Sequence, residues 1–266
     1  MPEAAPASPS GHRPHSERPW GQNEFTFTAS GTLATLELQN LPPASTTIDH
    51  VSVTPLAAPG LPRAPEIELS YSEFFDVAWN DSGSTAELQG CFWRPRLPAG
   101  QNIFRFGNAG TSVRRPWKSG RGPPSRMLIG KALVASAFAH PVGFTYVWND
   151  AGSSATLDGW FFNPIPPAGY VSLGTITTSD AGAPSFPTNS VVCVRSDLVV
   201  EGTLGDLIWN EVGSTAVRQV SVWQIVSPPG AVALGTFIAT AGHAKPAGPV
   251  YCLSASAVRT NGVAAR

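Results

Sequence analysis

The heptapeptide Trp148-Asn149-Asp150-Ala151-Gly152-Ser153-Ser154 decides the fold, because the chain contains it in three related forms. The other two are Trp79-Asn80-Asp81-Ser82-Gly83-Ser84-Thr85 and Trp209-Asn210-Glu211-Val212-Gly213-Ser214-Thr215. Their tryptophans are 69 and 61 residues apart, and each copy lies between two apolar runs. Self-similarity at such a spacing is typical of a domain built from similar supersecondary units.

The second copy shows most clearly what each unit contains. Asn149, Asp150 and Gly152 favour a tight turn, since Asn, Asp and Gly accept left-handed backbone. Apolar and aromatic runs on either side predict strands at residues 144–148, 156–162, 170–174 and 191–195. There are three units of about four strands. Each unit has one apolar face to bury, and no unit can bury that face alone. The sequence therefore predicts an all-β, β-prism-like fold with pseudo-threefold symmetry; a barrel and a sandwich remain alternatives.

The composition and the positions of Gly and Pro divide the chain into three parts. Hydrophobic residues make up 42%, charged residues 13%, and 26 Gly and 26 Pro demand many turns. We expect a disordered tail over residues 1–20. Residues 21–65 are expected to form an N-terminal β segment and a Pro-rich connector. The triple repeat then occupies 66–266, with units at about 66–139, 140–203 and 204–266.

No apolar run is long enough for a signal-peptide core or a membrane helix. This predicts a soluble protein, either cytoplasmic or exported without a classical leader, whose membrane contact would be peripheral. The oligomeric state is left open.

The three cysteines, Cys91, Cys193 and Cys252, show no metal-binding spacing. Cys193 and Cys252 fall at the same place in their units, where the first unit is expected to have Leu128. A position that accepts Leu or Cys is apolar, so buried free thiols are the favoured interpretation over a Cys193–Cys252 bridge.

The turn and the segment after it resemble the vacuolar protein sorting-associated protein 62 family. The resemblance rests on Trp148 to Ser153, followed by Pro164-Ile165-Pro166-Pro167-Ala168-Gly169-Tyr170-Val171-Ser172-Leu173-Gly174 and the strand around Cys193. It covers about residues 66–266 and implies a β-prism-like module with no established catalytic residues. The first unit lacks the Pro-Pro pair and the third lacks the Tyr, so only the second copy of the motif is intact.

The sequence contains no metalloprotease, nucleophile-elbow, phosphate-loop or dinucleotide-binding motif. It therefore predicts no cofactor and no metal. The acids of the repeated turns (Asp81, Asp150, Glu211) could join a calcium site, but one acid per turn is a weak set of ligands. An enzyme whose site is assembled from distant loops remains an alternative.

The repeated turn has two interpretations. It is ordinary hairpin chemistry, or it presents carboxylate, amide and hydroxyl groups beside an aromatic ring. Such a set suits a sugar, whose hydroxyls form hydrogen bonds and whose apolar face packs on a ring. The candidate ligand-binding residues of the intact copy are Trp148, Asn149, Asp150, Ser153 and Tyr170.

The charge distribution is the second functional signal. Residues 1–87 hold eleven acids and three bases, whereas residues 88–149 hold nine of the seventeen cations and no acid. The cations concentrate in a loop between Arg105 and Arg126, whose candidate anion-binding residues are Arg114, Arg115, Trp117, Lys118 and Arg121. The alternative is a solvated loop that neutralises the acidic N-terminal part. Nucleic acid is not expected, since no binding motif accompanies the loop.

Together these features predict a non-catalytic, lectin-like recognition module for a glycan or an anionic membrane headgroup. An enzyme is the first alternative. A membrane-active toxin is the next, although a long amphipathic strand pair is not evident.

Overall fold

In the computed structural model, the described residues are 63–114, 122–179, 184 and 191–265, without the side chains of Arg114 and 262–265. The tail and most of the N-terminal β segment predicted from the sequence lie outside these residues. The described part is all-β, and its eighteen strands are joined by tight turns and three single 3₁₀ turns at Ala135–Ala137, Ser196–Leu198 and Ala255–Ala257. The strands are β1 Ile67–Ser72, β2 Phe75–Asn80, β3 Leu88–Pro95, β4 Ile103–Phe104, β5 Ala109–Arg114, β6 Met127–Ala132, β7 Phe138–Ala139, β8 Gly143–Asn149, β9 Trp160–Ile165, β10 Tyr170–Val171, β11 Ile176–Thr178, β12 Cys193–Arg195, β13 Val199–Asn210, β14 Val220–Val226, β15 Ala231–Val232, β16 Phe237–Ala241, β17 Val250–Ser254 and β18 Val258–Ala265.

The strands are arranged at two levels, each with its own core. At the turn level, each unit contributes three antiparallel strands, β2–β3–β5, β8–β9–β11 and β13–β14–β16. At the base level the corresponding groups are β1–β6–β4, β7–β12–β10 and β13–β17–β15. The twelve-residue β13 serves both levels, pairing with β17 through Gly202 and with β14 from Thr203. The all-β, β-prism-like class is therefore confirmed, while exact superposition of the three units remains a prediction.

The last strand returns to the first. β18 pairs in parallel with β1, with Val258 opposite Ile67 and Ala265 opposite Ser72. It thereby adds a fourth strand to the base-level sheet of the first unit.

Alternation of apolar side chains builds the two cores. In β1, Ile67 and Leu69 are fully buried and join the base-level cluster, which also contains Phe106 and Leu198. The turn-level cluster is dominated by aromatic rings, namely Trp79, Phe92, Trp148, Phe161, Trp209 and Phe237.

Two strand boundaries in the second unit differ from the prediction. The return strand expected at 156–162 begins at Trp160, because the backbone of Thr156 and Leu157 bonds to the first unit instead. The strand expected at 170–174 ends at Val171 and is followed by β11, because the chain there leaves the base level for the turn level.

All three cysteines are free thiols, and Cys193 and Cys252 are buried in β12 and β17 as predicted. Their counterpart in the first unit is Ile129 rather than Leu128. In each unit the residue that follows this position pairs with the last residue of a two-residue strand of the base level. These pairs are Val194 with Val171, Leu253 with Val232 and Gly130 with Phe104.

Candidate functional site

Each repeated turn is held together by its own polar side chains. The amides of Asn80 and Asn210 accept hydrogen bonds from the backbone two residues later, at 3.0 and 3.3 Å. The serine hydroxyls do the same, as Ser153 Oγ does for the backbone of Ala155 at 3.1 Å. The turn glycines have φ values between +79° and +92°, a backbone that other residues adopt only with strain. The motif is therefore, first of all, a device for making a turn.

The three tryptophans meet at the centre of the turn level. Trp79, Trp148 and Trp209 are at most 1% exposed, and their ring centroids lie 5.3–5.6 Å apart in edge-on contacts. Such contacts are favourable for aromatic pairs. No face of the Trp148 ring is open to a ligand, so the structure gives it a packing role rather than the predicted sugar-stacking role.

The indole N–H groups link the units in a cycle. Each indole N–H donates to a backbone carbonyl of the following unit, nine residues after the tryptophan of that unit. The indole of the third unit donates to the first unit, which closes the cycle. The bonds run from Trp79 to Leu157 (2.8 Å), from Trp148 to Arg218 (2.7 Å) and from Trp209 to Leu88 (3.0 Å).

The turns are also bonded directly to one another. Each donor is the backbone N–H eight residues after the tryptophan of its unit. The bonds run from Thr156 to Ser82, from Glu87 to Val212 and from Val217 to Ala151. We call residues 80–88, 149–157 and 210–218 the turn ring.

The three acids of the motif belong to this ring, and their side chains are buried. Asp81 Oδ2 accepts from the Trp209 indole at 3.2 Å. Burial raises the pKa of Asp150, although hydrogen bonds from Gly159 and Trp79 oppose that shift. Glu211 accepts from the backbone of Val220 at 2.8 Å and lies 2.6 Å from His243 Nε2.

The predicted glycan site is not brought together at one place. Asn149, Asp150 and Ser153 lie in the turn ring, whereas Tyr170 lies at the base level, paired with Arg195. The Tyr170 hydroxyl donates to the carbonyl of Ser136 at 2.9 Å.

Tyr170 borders an ion-pair network that the sequence did not reveal. Arg195 binds Asp197 at 2.6 Å and Glu66 at 2.7 Å, and Arg63 binds the same two acids at 2.8 and 2.5 Å. The hydrogen bonds from Arg195 hold the pKa of Asp197 at about 2. Because its partners are up to 134 residues apart, no local pattern marks this network.

Several cations of the acid-free interval have partners inside the protein. Arg94 and Arg96 pair with Asp76 at 3.7 and 2.8 Å. Arg105 is 4% exposed, and burial, with a smaller contribution from Arg94, lowers its pKa to about 9. Arg126 lies over the ring of Tyr71 at 4.2 Å.

The remaining candidate cations belong to the segment that follows β5. Arg114 is the last residue of β5 and pairs with Leu88, so its backbone lies beside the turn ring. Arg115, Trp117, Lys118 and Arg121 lie outside the described residues.

The turn ring also exposes aliphatic side chains. Val217 is 77% exposed and Leu157 is 45% exposed, close to the exposed Arg218. Exposed acids are present as well, since Glu87 and Asp158 lie in or beside the ring.

Within the described residues, no group of three or more His, Cys, Asp and Glu side chains is arranged to hold a metal ion. The same residues include no helix long and apolar enough to span a membrane.

This architecture, with short antiparallel sheets around an aromatic centre, defines a β-prism-like module. The chain belongs to the vacuolar protein sorting-associated protein 62 family, whose model matches residues 125–263. No curated protein matches the sequence.

The chain is also similar to a solved structure, the crystal structure of GNIP1Aa from Chromobacterium piscinae, with 27% identity and a TM-score of 0.59. The similarity covers 73% of this chain and 38% of that one, so the chain spans well under half the length of that protein. Family and structural likeness together fit a non-catalytic binding module.

Proposed function

We propose that this protein is a recognition module whose turn ring and basic segment, residues 105–126, bind an anionic lipid headgroup at a membrane surface. The observation that carries the proposal is the run of nine cations without an acid between Glu87 and Asp150. Four of those cations, Arg114, Arg115, Lys118 and Arg121, fall within eight residues of one another. Clustered cations near an anionic membrane each contribute about 1 kcal/mol to binding.

The place of Arg114 supports the same proposal. Arg114 is the first of the four clustered cations, its backbone lies beside the turn ring, and that ring exposes Leu157 and Val217. Cations that bind headgroups next to aliphatic side chains that enter the interface are typical of peripheral membrane binding. Trp117 lies within the cluster, and tryptophan favours the interfacial region. The acids Glu87 and Asp158 oppose this attraction but are outnumbered by the segment and Arg218.

Sugar binding at the turn itself has less support. The Trp148 ring is buried, and the serine hydroxyl of each turn accepts a backbone hydrogen bond. A sugar would have to compete with the bonds that form the turn.

The test is liposome co-sedimentation of the full chain against vesicles with and without anionic lipid. Replacing Arg114, Arg115 and Lys118 by Ala should weaken binding to anionic vesicles by a factor on the order of a hundred, from about 1 kcal/mol per cation. Wild-type binding should also fall steeply with salt, because the surface potential is screened within roughly 8–10 Å.

The matched control removes the same charge elsewhere, as Ala at Arg96, Lys131 and Arg259, all exposed side chains outside residues 105–126, with Lys131 just beyond that segment. Binding should then change by less than about threefold, since only position differs. Equal losses in both triple variants would mean that net charge matters rather than this segment. Absence of wild-type binding to anionic vesicles would end the proposal.

A further inference from the structure

A groove of about 440 Å³ lies between the second and third units, away from the turn ring. One wall comes from the Pro164–Gly174 segment of the second unit, represented by Pro166, Val171 and Ser172. The other wall comes from Ile238 and from Tyr251 with the loop before it. Its volume falls within the range of roughly 300–1,000 Å³ typical of small-molecule sites.

The groove is lined by the intact copy of the motif. In the third unit, Ile225 and Val232 stand at the same distances from the tryptophan as Pro164 and Val171 do in the second. They border a different space of about 10 Å³, whose lining residues all belong to the third unit. The Pro-rich sequence of the second unit thus coincides with an open groove, which the turn-forming role of its prolines does not require.

Hydrogen bonds fix the two walls relative to each other. Thr175 Oγ1 donates to Asn163 Oδ1 at 2.5 Å and accepts from the backbone of Ala239 in β16 at 2.8 Å. Asn163 Nδ2 in turn donates to the carbonyl of Ala239 at 3.3 Å. Because these bonds join the second unit to the third, the groove is formed before a ligand arrives, which lowers the entropy lost on binding.

The lining determines what the groove can take. None of its residues carries a charge at neutral pH, so an anionic ligand would find no partner. Proline, valine and isoleucine provide an apolar surface, and Tyr251 adds an aromatic ring. Among the described residues the Tyr251 hydroxyl has no hydrogen-bond partner, and Ser172 Oγ, which donates to the carbonyl of Gly174 at 3.3 Å, can still accept.

We propose that this groove binds an uncharged saccharide. The apolar C–H face of a sugar ring would pack against the proline and tyrosine wall, and its hydroxyls would bond to Tyr251 and Ser172. This site is separate from the headgroup site, so the protein would recognise a neutral glycan and an anionic surface with different faces.

The experiment titrates the full chain with neutral trisaccharides (maltotriose, cellotriose, mannotriose and tri-N-acetylchitotriose) by isothermal calorimetry. At least one should bind. Tyr251→Phe, which removes one hydroxyl, should weaken that binding about fivefold, the value of one neutral hydrogen bond. Tyr146→Phe, which removes a hydroxyl from the outer face of β8, should leave it unchanged.

A blocking variant keeps the proposal testable if Tyr251→Phe has a small effect. Gly248 lines the groove and has open space where a Cβ would lie, so Gly248→Trp should fold and abolish saccharide binding. Val134→Trp is the control, since Val134 is 43% exposed, belongs to the first unit and does not line the groove. Vesicle binding of the Gly248→Trp variant should equal that of the wild type, which separates failure of this site from failure of the headgroup proposal.

Three results would overturn the inference. They are no trisaccharide binding at millimolar concentration, unchanged binding in Gly248→Trp, and binding of an uncharged proline-rich peptide without any saccharide.

Discussion

Among the described glycines, Gly159 leaves the least room for a side chain. A Cβ at this position would lie 2.3 Å from Cδ1 and Cγ of Trp79. The Trp79 ring has no room to withdraw, because Trp148 and Trp209 contact it at 5.5 and 5.3 Å between centroids. We therefore expect Gly159→Ala to strain the aromatic centre rather than a single side chain.

The expected magnitude has two parts. Overpacking a tight core costs about 1–3 kcal/mol. Displacement of Trp79 also lengthens its 2.8 Å hydrogen bond to Leu157, and a buried donor left without a partner costs about 1–3 kcal/mol. We expect the free energy of unfolding to fall by about 3 kcal/mol, which lowers Tm by roughly 6–12 °C in a domain of this size.

Urea unfolding followed by tryptophan fluorescence measures the change directly. Gly143→Ala is the control, because its Cβ would meet only Ile165 at 3.5 Å, an ordinary contact. That substitution should be neutral or stabilise by up to about 1 kcal/mol, since alanine reduces the freedom of the unfolded chain. If the two variants unfold within about 0.5 kcal/mol of each other, the close approach is not a constraint and the reasoning fails.

Burial raises the pKa of Cys193 to about 12, so we expect no thiol to react with a disulfide reagent at pH 8 in the folded protein and all three to react in denaturant; a single reactive thiol in denaturant would mean a disulfide. The folded pKa of Asp197, about 2, is below its ordinary value near 4, so this group stabilises the fold above pH 4 and loses that effect as the pH falls toward 2. Asp197→Asn should therefore be less stable than the wild type at pH 7, with a gap in urea midpoint that closes on acidification; a gap independent of pH would argue against the ion pairs. Replacing each central tryptophan separately by Phe removes one indole donor and should cost a similar free energy, about 2–4 kcal/mol, in all three cases, and strongly unequal losses would contradict equivalence of the units.

The repeat was predictable because its signal is local. A turn such as 149–153 requires Asn, Gly and Ser at fixed positions, so three copies of this pattern predict three similar units. The burial of Cys193 and Cys252 followed from the same logic, since matching positions in a repeat share an environment. The assignment of Leu128 was off by one residue, because strand register is set by pairing with β1 and β4, which the sequence does not show.

The division into two levels was not predictable. Val199 and Trp209 lie at opposite ends of β13 and pack in different cores, and the residues between them do not mark the change. Nor could the sequence tell that the motif tryptophans face inward, since an aromatic beside a turn fits a core and a ligand site equally well. Gly159 and its counterpart Gly90 also appeared ordinary, until the indoles of Trp79 and Trp209 were found against them.

The groove and the ion-pair network were missed for another reason. Both join residues that are distant in the chain, as Arg195 with Glu66 and Val171 with Tyr251. Because their residues are far apart in the chain, no regular spacing in the sequence marks such sites. The trace in the sequence was the intact Pro-rich motif of the second unit, which lines the groove.

The cycle of indole hydrogen bonds has a consequence for synthesis on the ribosome. When the first unit emerges, Trp79 still lacks its acceptor at Leu157, and Trp148 must wait for Arg218. The first strand forms its native pairing last, because its parallel partner β18 begins only at Val258. We therefore expect no unit to reach its native state until β18 has left the exit tunnel, and the nascent chain to remain accessible to chaperones up to that point.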